Sequence, residues 1–472
     1  MRKPRIGLVG LMQANFGGDK EAFYARCILD LKRISKELDF DLLVFPEGIY
    51  SVDKAAEAVS FLQEAKADFL LVQNSSFASG SYIGILAEAA PWLGLWSLPE
   101  PEAKGPVLLN SFCGINMNAA IITHYLKERP LKYKWFHGFP GDPLFLDRFR
   151  LTVSALRGIV NLRGAKIAAI GGIAPGFDNL AYDAHRLEQR FGVVIDKTPA
   201  FKDIRQRALN YTDTEIAPAL AEIAVETTAM DSHARAALDK HVRVCKAYTD
   251  LVKEGRVDAV ASICWPNFRT EMEMVPCAAF GWLNDHLVPV ACEGDVLSAV
   301  SMLLMKMATG TPSILMDLVE FDQRDHSVLL WHCGVGSTHY ARCGVQLQRH
   351  FNPGPYSPEK GWPVMAPVAA MEFRHAPATI LGFMEDGARM LAFSGTFMDK
   401  PGRDGSSGWL GDLKFNGQSG NVLDLVNTIL VMGYHHHYPL VWGENSDLFS
   451  EISYWLDIHR IETLKYEDCN RM

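Results

Sequence analysis

Two acidic residues that follow apolar segments have the types and positions that could do chemistry. Glu293 follows the apolar run 288–292 and precedes a long helical stretch, and Asp317 ends the apolar run 313–316. Buried strand ends rarely carry acids without a partner, because an unpaired buried charge is costly. A histidine triplet occupies 435–437, and side chains alternate along an extended segment, so one or two of its rings could face the same site. Carboxylates with imidazole predict a divalent-metal site with room for a substrate.

Each of these residues also has a purely structural interpretation. Acids are favoured at a helix N-terminus, so Glu293 could belong to a helix cap. The histidine triplet could be a surface cluster, and His332, which lies in the apolar run 327–333, could be a satisfied core residue. A matched pair of acids at two strand ends favours the metal site over capping alone.

The elements that must position these residues alternate between apolar strands and amphipathic helices. Apolar runs at 6–12, 41–46 and 69–73 begin the pattern, and a second alternating unit extends from 166 to 317. Continuous apolar strands separated by helices indicate parallel sheets covered on both faces, so the fold class is α/β with two Rossmann-like domains. Ligands bind beyond the carboxyl ends of such strands, which makes Gln13, directly after the first strand, a predicted substrate contact.

The last third of the chain has a different character. From about residue 327, strand-like runs separated by Gly/Pro turns predict a mostly β region, and the Gly- and Ser-rich segment 402–420 predicts a mobile loop. The predicted domains are an N-terminal Rossmann-like domain over 1–150, a second one carrying the metal carboxylates over 151–320, and a β-rich domain contributing the metal histidine over 321–472.

Composition excludes several classes of protein. The 472 residues have a net charge of −9 and no Lys/Arg run, which argues against nucleic acid or an anionic membrane as a partner. No stretch reaches the ~18 apolar residues that a membrane span needs. The N-terminal segment predicts a first buried strand rather than a signal peptide. Nine scattered cysteines without a C-x-x-C pair favour a reduced, cytoplasmic protein.

Two alternatives to a metal enzyme remain open. Glu47 after Phe45-Pro46, together with Cys264 at the end of an apolar strand, resembles the nitrilase pattern, in which a glutamate activates a cysteine. A carbon–nitrogen hydrolase using Glu47 and Cys264 is therefore one alternative, although the lysine that such enzymes need does not stand out. A non-catalytic sugar-binding protein is the other, because two Rossmann-like domains also build periplasmic-type binding folds.

The C-terminal two-thirds of the chain resembles the L-fucose isomerase and L-arabinose isomerase superfamily, as a divergent member. Glu293-Gly294-Asp295 is similar to the segment that holds a glutamate ligand in arabinose isomerases. Asp317 follows Glu293 after 24 residues (317 − 293), which is closer to the fucose-isomerase arrangement. Gly433-Tyr434-His435-His436 resembles the late Gly-x-(His/Asn)-His motif, and this likeness selects His436 as the metal-binding histidine.

The resemblance implies isomerisation of an open-chain aldose to a ketose through an enediol. Mn²⁺ or another divalent cation would be held by Glu293, Asp317 and His436 and would act as a Lewis acid on the sugar oxygens. Glu293 and Asp317 would also be the catalytic residues that move a proton between C1 and C2. Members of the superfamily form trimers or hexamers, so a homo-oligomer is expected.

The resemblance also suggests substrate contacts without identifying the sugar. Trp265 and Asn267 lie where the superfamily shapes its sugar pocket, and His332 lies where arabinose isomerases place a further histidine. The first 130 residues diverge from both groups. A basic segment over 339–350 leaves room for an anionic substrate such as a sulfonated hexose.

Overall fold

The chain forms two compact units in the computed structural model, which describes residues 1–127, 131–352 and 365–471. Unit 1 is Met1–Val160 and unit 2 is Asn161–Met472. In the described ranges, no helix is both long enough and apolar enough to cross a membrane. The finer division of the chain into three domains stays a prediction.

Unit 1 is built on a five-stranded parallel sheet in the order β2-β1-β3-β4-β5. The strands are β1 (Arg5–Leu11), β2 (Asp41–Ile49), β3 (Phe69–Asn74), β4 (Trp92–Ser97) and β5 (Lys132–His137). The helices are α1 (Lys20–Leu38), α2 (Val52–Glu64), α3 (Ser81–Leu86), α4 (Ser111–Tyr125) and α5 (Pro143–Leu162). All six residues of β3 and of β4 are buried, as expected for strands covered by helices on both faces. The predicted Rossmann-like parallel sheet is confirmed.

Gln13 lies just beyond the carboxyl end of β1. Its backbone N–H donates to Ser76 Oγ at 3.0 Å, and Ser76 follows β3, the neighbouring strand. Buried polar side chains, among them Asn74 and Ser75, collect at the same edge of the sheet. Gln13 therefore has the strand-end position that the sequence predicts, and its role in substrate binding stays a prediction.

Unit 2 begins with a four-stranded parallel sheet in the order β10-β9-β6-β7. The strands of this part are β6 (Lys166–Ile170), β7 (Val194–Asp196), β8 (Thr227–Met230), β9 (Ala259–Ser262) and β10 (Val290–Ala291). The helices are α6 (Ala184–Phe191), α7 (Phe201–Asn210), α8 (Asp213–Glu226), α9 (Ser232–Gly255), α10 (Asn267–Met272), α11 (Cys277–Asp285) and α12 (Val296–Thr309). Twelve of the fourteen residues of α12 are buried, so this helix is a core element.

The rest of unit 2 is β-rich, as predicted, and contains a closed barrel. Six antiparallel strands pair in the order β16-β15-β19-β11-β12-β17, and β17 pairs back with β16. The strands are β11 (Ser313–Asp322), β12 (Ser327–His332), β13 (Val345–Gln348), β14 (Val368–Glu372), β15 (Pro377–Met384), β16 (Arg389–Phe397), β17 (Ser406–Phe415), β18 (Gln418–Ser419), β19 (His437–Trp442) and β20 (His459–Arg460). The helices are α13 (Val422–Met432) and α14 (Ser446–Leu456).

The prediction of a mobile loop over 402–420 is wrong, because most of this segment is the barrel strand β17. Its glycines are needed for close packing. A Cβ on Gly408 would lie 2.7 Å from the Phe397 ring, and one on Gly411 would lie 2.7 Å from Met398 Sδ. The segment is therefore rich in glycine because neighbouring side chains pack closely against both faces of the strand, and not because the chain is flexible.

Candidate active site

Strand register brings Asp317 and His437 together. Asp317 on β11 is paired with His437 on the antiparallel strand β19, and directly paired residues project from the same face of a sheet. His437 Nε2 lies 3.9 Å from Asp317 Oδ1. His437 is fully buried, whereas the side chain of Asp317 is 24% exposed. The strand register therefore places the buried Nε2 of His437 next to the carboxylate of Asp317, which is exposed enough to contact a ligand.

Glu293 reaches the same point from the end of the parallel sheet. It follows β10 in a tight turn with a left-handed φ of 60°. At the next residue, Gly294, a Cβ would lie 2.0 Å from the backbone oxygen of Gly172, so only glycine fits. The backbone oxygen of Glu293 accepts from Ala174 N at 2.9 Å, which anchors the turn to the loop after β6. Glu293 Oε2 lies 3.3 Å from His437 Nε2.

Asp295 holds His437 from its other side. Asp295 caps α12 by accepting from Ser298 N at 2.9 Å, and its second carboxylate oxygen lies 2.8 Å from His437 Nδ1. Both side chains are 1% exposed. A carboxylate at this distance favours a proton on Nδ1, which leaves Nε2 as the nitrogen directed at Glu293 and Asp317.

The charges of the cluster act strongly on one another. Burial lowers the pKa of His437, but the hydrogen bond with Asp295, the nearby carboxylate of Glu293 and the charges of Asp295 and Asp317 outweigh it and raise the pKa to about 10. Burial likewise opposes ionisation of Glu293, yet His436 and His437 hold the pKa of that carboxyl well below its usual range. The same competition lowers the pKa of Asp295 to about 2. The site therefore strongly attracts positive charge.

The donor atoms fit a divalent cation. In the described part of the chain, His437 Nε2 and Asp317 Oδ1 are buried atoms that make no hydrogen bond. Carboxylate oxygens and imidazole nitrogens are both ligands that divalent cations accept. Two overlapping groups have ligand atoms within 4.8 Å of one another, Glu293 with His436 and His437, and Cys292 with His332 and His437. A candidate metal-binding group is thus present, and His437 belongs to both sets.

His436, the histidine selected from the sequence, also lies next to Glu293. Its Nε2 is 3.3 Å from Glu293 Oε2, and its Nδ1 is 3.1 Å from the Asn179 side-chain nitrogen. The ring packs against Phe177 with a centroid distance of 5.1 Å, and the side chain is 35% exposed. His436 therefore occupies the exposed rim of the cluster. Its role as a metal ligand stays a prediction.

His332 is a buried neighbour of the cluster. Its Nδ1 accepts from Cys333 N at 2.8 Å, and its Nε2 lies 3.2 Å from Cys292 Sγ. Its ring centroid is 6.1 Å from that of His437. Burial lowers the pKa of His332, but the charge of Asp317 and the interactions with Cys333 together outweigh it, and the pKa is raised. His332 thus contacts Cys292, which belongs to one of the two candidate metal groups, and it also lines a cavity beside Glu293.

A cavity of about 260 Å³ opens beside Glu293, near the lower end of the roughly 300–1,000 Å³ usual for small-molecule sites. Its lining includes Glu293, His332, Cys292, Cys264, Trp265, Arg269, Cys277 and His350. Trp265 is thus a wall of the cavity, and its role as a substrate contact stays a prediction. Asn267 is not among the lining residues, and its amide nitrogen donates to Glu271 Oε1 at 3.0 Å on the same helix.

Two side chains of the basic segment over 339–350 already contact carboxylates. Arg342 pairs with Glu372 at 2.5 Å and also with Asp399. His339 Nδ1 lies 2.9 Å from Asp285 Oδ1. These contacts lower the value of Arg342 and His339 for binding an anionic substrate.

The residues of the hydrolase alternative lack the expected activation. Glu47, in unit 1, is an exposed carboxylate paired with Lys54 at 2.8 Å. Burial and the charge of Glu293 raise the pKa of the Cys264 thiol well above its usual range. A nucleophilic cysteine requires the opposite shift, so these observations disfavour the carbon–nitrogen hydrolase.

Sequence reasoning did not assign a functional role to Asp295 or Arg269, and it left His437 open within the triplet until the family resemblance selected His436. The helix-cap position of Asp295 was visible in the sequence, but its contact with His437 depends on long-range packing. Choosing His437 requires the register between β11 and β19, which no local pattern contains.

The fold and site define an α/β protein with Rossmann-like parallel sheets, a barrel and a buried carboxylate–histidine cluster beside a cavity. No protein-family model matches the chain. It is 28% identical over 421 residues to a sulfoquinovose isomerase from Clostridium sp. (strain MSTE9), covering 87% of this chain and 89% of that protein. Sulfoquinovose isomerases from Alkalicoccus urumqiensis and Priestia aryabhattai are 25% and 24% identical, over 85% and 88% of this chain and 88% and 90% of theirs.

Solved structures give no comparable information. An ABC transporter solute-binding protein from Burkholderia multivorans is 13% identical, and the match covers 66% of this chain and 95% of that one. Its TM-score is 0.18, so this likeness bears on neither fold nor function.

Proposed function

We propose that this chain is a divalent-metal-dependent isomerase that converts a sulfonated aldohexose into the corresponding ketose through an enediol. The observation that carries the proposal is the buried, unpartnered Nε2 of His437, directed at the carboxylates of Glu293 and Asp317. Similarity to sulfoquinovose isomerases over most of the chain supports the reaction and the substrate class. A cytoplasmic homo-oligomer, trimeric or hexameric as the sequence resemblance implies, belongs to the same proposal.

The broader class of the protein needs no proposal. The chain is an aldose–ketose isomerase, an intramolecular oxidoreductase, as its similarity to the sulfoquinovose isomerases indicates. This class disfavours the alternative of a non-catalytic sugar-binding protein.

Glu293, Asp317 and His437 would hold the cation, which we propose to be Mn²⁺, and His436 lies close enough to Glu293 to remain a further candidate. When bound, such an ion supplies Lewis-acid stabilisation of the charge that develops on O1 and O2 of the open-chain sugar. Asp295 would orient His437 through Nδ1, so that Nε2 points to the ligand set.

The proton transfers would fall to Glu293 and Asp317. One carboxylate accepts the proton from C2 of the aldose, O1 gains a proton and O2 loses one, and the carboxyl group returns its proton to C1 to complete the ketose. His436 and His437 hold the pKa of Glu293 low, so its carboxyl group is ionised near pH 7. Because the Glu293 side chain is only 14% exposed, the transferred proton would exchange slowly with solvent.

Metal removal tests the proposal directly. EDTA treatment is expected to lower ketose formation from sulfoquinovose by at least about tenfold, and Mn²⁺ is expected to restore it, because a divalent ion can polarise both sugar oxygens at once. The measurement is ketose formation by NMR before and after addition of Mn²⁺. Full activity of the chelator-treated protein would contradict the metal mechanism, whereas no ketose under any condition would contradict the substrate.

Asp295→Asn tests the orientation of His437. Asparagine remains a good N-cap for α12, so the helix should still form. Its amide can donate to Nδ1, which stabilises the tautomer with the proton on Nε2, and Mn²⁺ affinity is expected to fall about 10- to 100-fold. Calorimetric Mn²⁺ titration gives the affinity. Asp231→Asn, at the N-cap of α9, is the matched control, and equal Mn²⁺ affinity in both variants would refute the orienting role.

A further inference from the structure

Arg269 lies at the wall of the cavity and has no anionic partner among the described residues. It lies on α10 and lines the same cavity as Glu293 and His332. Its Nε is buried without a hydrogen-bond partner, and no other group of the described chain forms an ion pair or hydrogen bond with its guanidinium. A partly buried guanidinium that lacks a partner is costly, so its position calls for an anionic ligand.

The surrounding contacts hold α10 in place and direct its own carboxylate elsewhere. Glu271 accepts from Asn267 at 3.0 Å instead of pairing with Arg269. Lys240 Nζ donates to the Met272 backbone oxygen at 2.9 Å, and Arg205 Nε donates to that of Glu271 at 3.3 Å. The helix is thus anchored by its backbone, while the guanidinium of Arg269 is left available to the cavity.

A second feature that favours anions faces the same space. Helix α11 begins at Cys277 after Pro276, and both residues line the cavity. No side chain caps this nine-residue helix, so the N–H groups of its first turn lack the usual acceptor. Unsatisfied N–H groups at a helix N-terminus attract an anion, and they add to the charge of Arg269.

Other basic groups at the cavity do not replace Arg269. Among the described residues that line it, Arg269 is the only Lys or Arg. His350 also lines the cavity, but burial, reinforced by the charge of Arg269, lowers its pKa to about 4. His350 is therefore neutral near pH 7 and can contribute a polar contact but no charge.

We propose that Arg269 and the N-terminal turn of α11 bind the sulfonate of the sugar while the C1–C2 end lies at Glu293. This inference rests on the proposed function and assigns the preference for a sulfonated sugar mainly to Arg269. The planar guanidinium matches two sulfonate oxygens at once, and the free N–H groups of α11 suit the third. One cavity then has an anion-binding wall and a reactive carboxylate, which fits a hexose that is anionic at C6 only.

The test compares sulfoquinovose with quinovose, the same sugar without the sulfonate, in the Mn²⁺-loaded enzyme. Arg269→Gln is expected to lower kcat/KM for sulfoquinovose about 100-fold, mainly through KM, because a charge-assisted contact is lost. In the same variant, kcat/KM for quinovose should change by less than about threefold. Arg269→Lys, which keeps the charge without the planar fork, should fall between the wild type and Arg269→Gln.

Arg349→Gln is the matched control, because Arg349 is exposed and lines a neighbouring cavity instead. It should keep the selectivity of the wild type. Unchanged selectivity in Arg269→Gln, or a change in Arg349→Gln alone, would overturn the sulfonate subsite. A wild-type protein that isomerises neither sugar would overturn the proposed function instead. If Arg269→Gln does not fold, as shown by lost Mn²⁺ binding, the selectivity of Arg269→Lys decides.

Discussion

Replacing Glu293 with glutamine is expected to lower kcat for ketose formation by about 10⁴-fold. The amide keeps the shape and one oxygen donor of the side chain but cannot accept a proton, and general-base contributions reach about this size. Asp317 and His437 remain, so Mn²⁺ should still bind, more weakly because one charge is lost. Single-turnover assays at saturating Mn²⁺ separate the proton-transfer step from metal affinity.

The control for Glu293→Gln is Glu320→Gln. Glu320 lies on β11, three residues after Asp317, and its carboxylate pairs with Arg403 at the surface. Its replacement should leave both turnover and Mn²⁺ binding unchanged. Retention of more than about a tenth of wild-type kcat by Glu293→Gln would rule out Glu293 as the base and leave Asp317 to carry the transfer.

Deuterium exchange gives a second readout for Glu293. A carboxylate that moves the proton between carbons introduces solvent deuterium at C1 of the ketose whenever its proton exchanges before it returns. Glu293→Gln should lose this labelling together with turnover. Because Glu293 is largely buried, only part of the wild-type product should carry deuterium after one turnover, and the label should accumulate over repeated turnovers. A product still without any deuterium after many turnovers would favour a hydride shift and contradict the enediol route.

Hydrophobic patterns within single segments predicted the parallel sheets and the β-rich region. Apolar strands alternating with helices correctly indicated Rossmann-like parallel sheets, and Gly/Pro-punctuated runs indicated the β-rich C-terminal region. Glu293 follows a strand, as predicted, but the prediction that Asp317 ends a strand is wrong, because Asp317 lies in the middle of β11 in the barrel sheet. The structure nevertheless brings both carboxylates within 4 Å of one imidazole. Strand ends can be read from one segment at a time, because the hydrophobic pattern itself marks them.

Long-range packing explains what the sequence could not reveal. The segment 402–420 has the composition of a linker, yet Gly408 and Gly411 are small because Phe397 and Met398 pack against β17. The basic segment 339–350 suggested an anion site, but Arg342 is neutralised by Glu372 and Asp399. The guanidinium that has no partner among the described residues is that of Arg269. It lies on the short helix α10, whose position depends on contacts with Arg205 and Lys240.

The choice between two adjacent histidines is the sharpest test of the metal site. His437→Gln is expected to weaken Mn²⁺ binding by more than about 100-fold, beyond the effect of losing only an orienting group. His437 supplies a buried nitrogen held by Asp295, whereas His436 lies at the rim, where its Nδ1 contacts Asn179. His436→Gln should therefore weaken binding only a few-fold. The two substitutions are chemically identical and adjacent, so each controls for the other in Mn²⁺ titration and in activity. The reverse order of effects would return the ligand role to His436, as the sequence resemblance predicts, and would leave the register of β11 and β19 without a functional consequence.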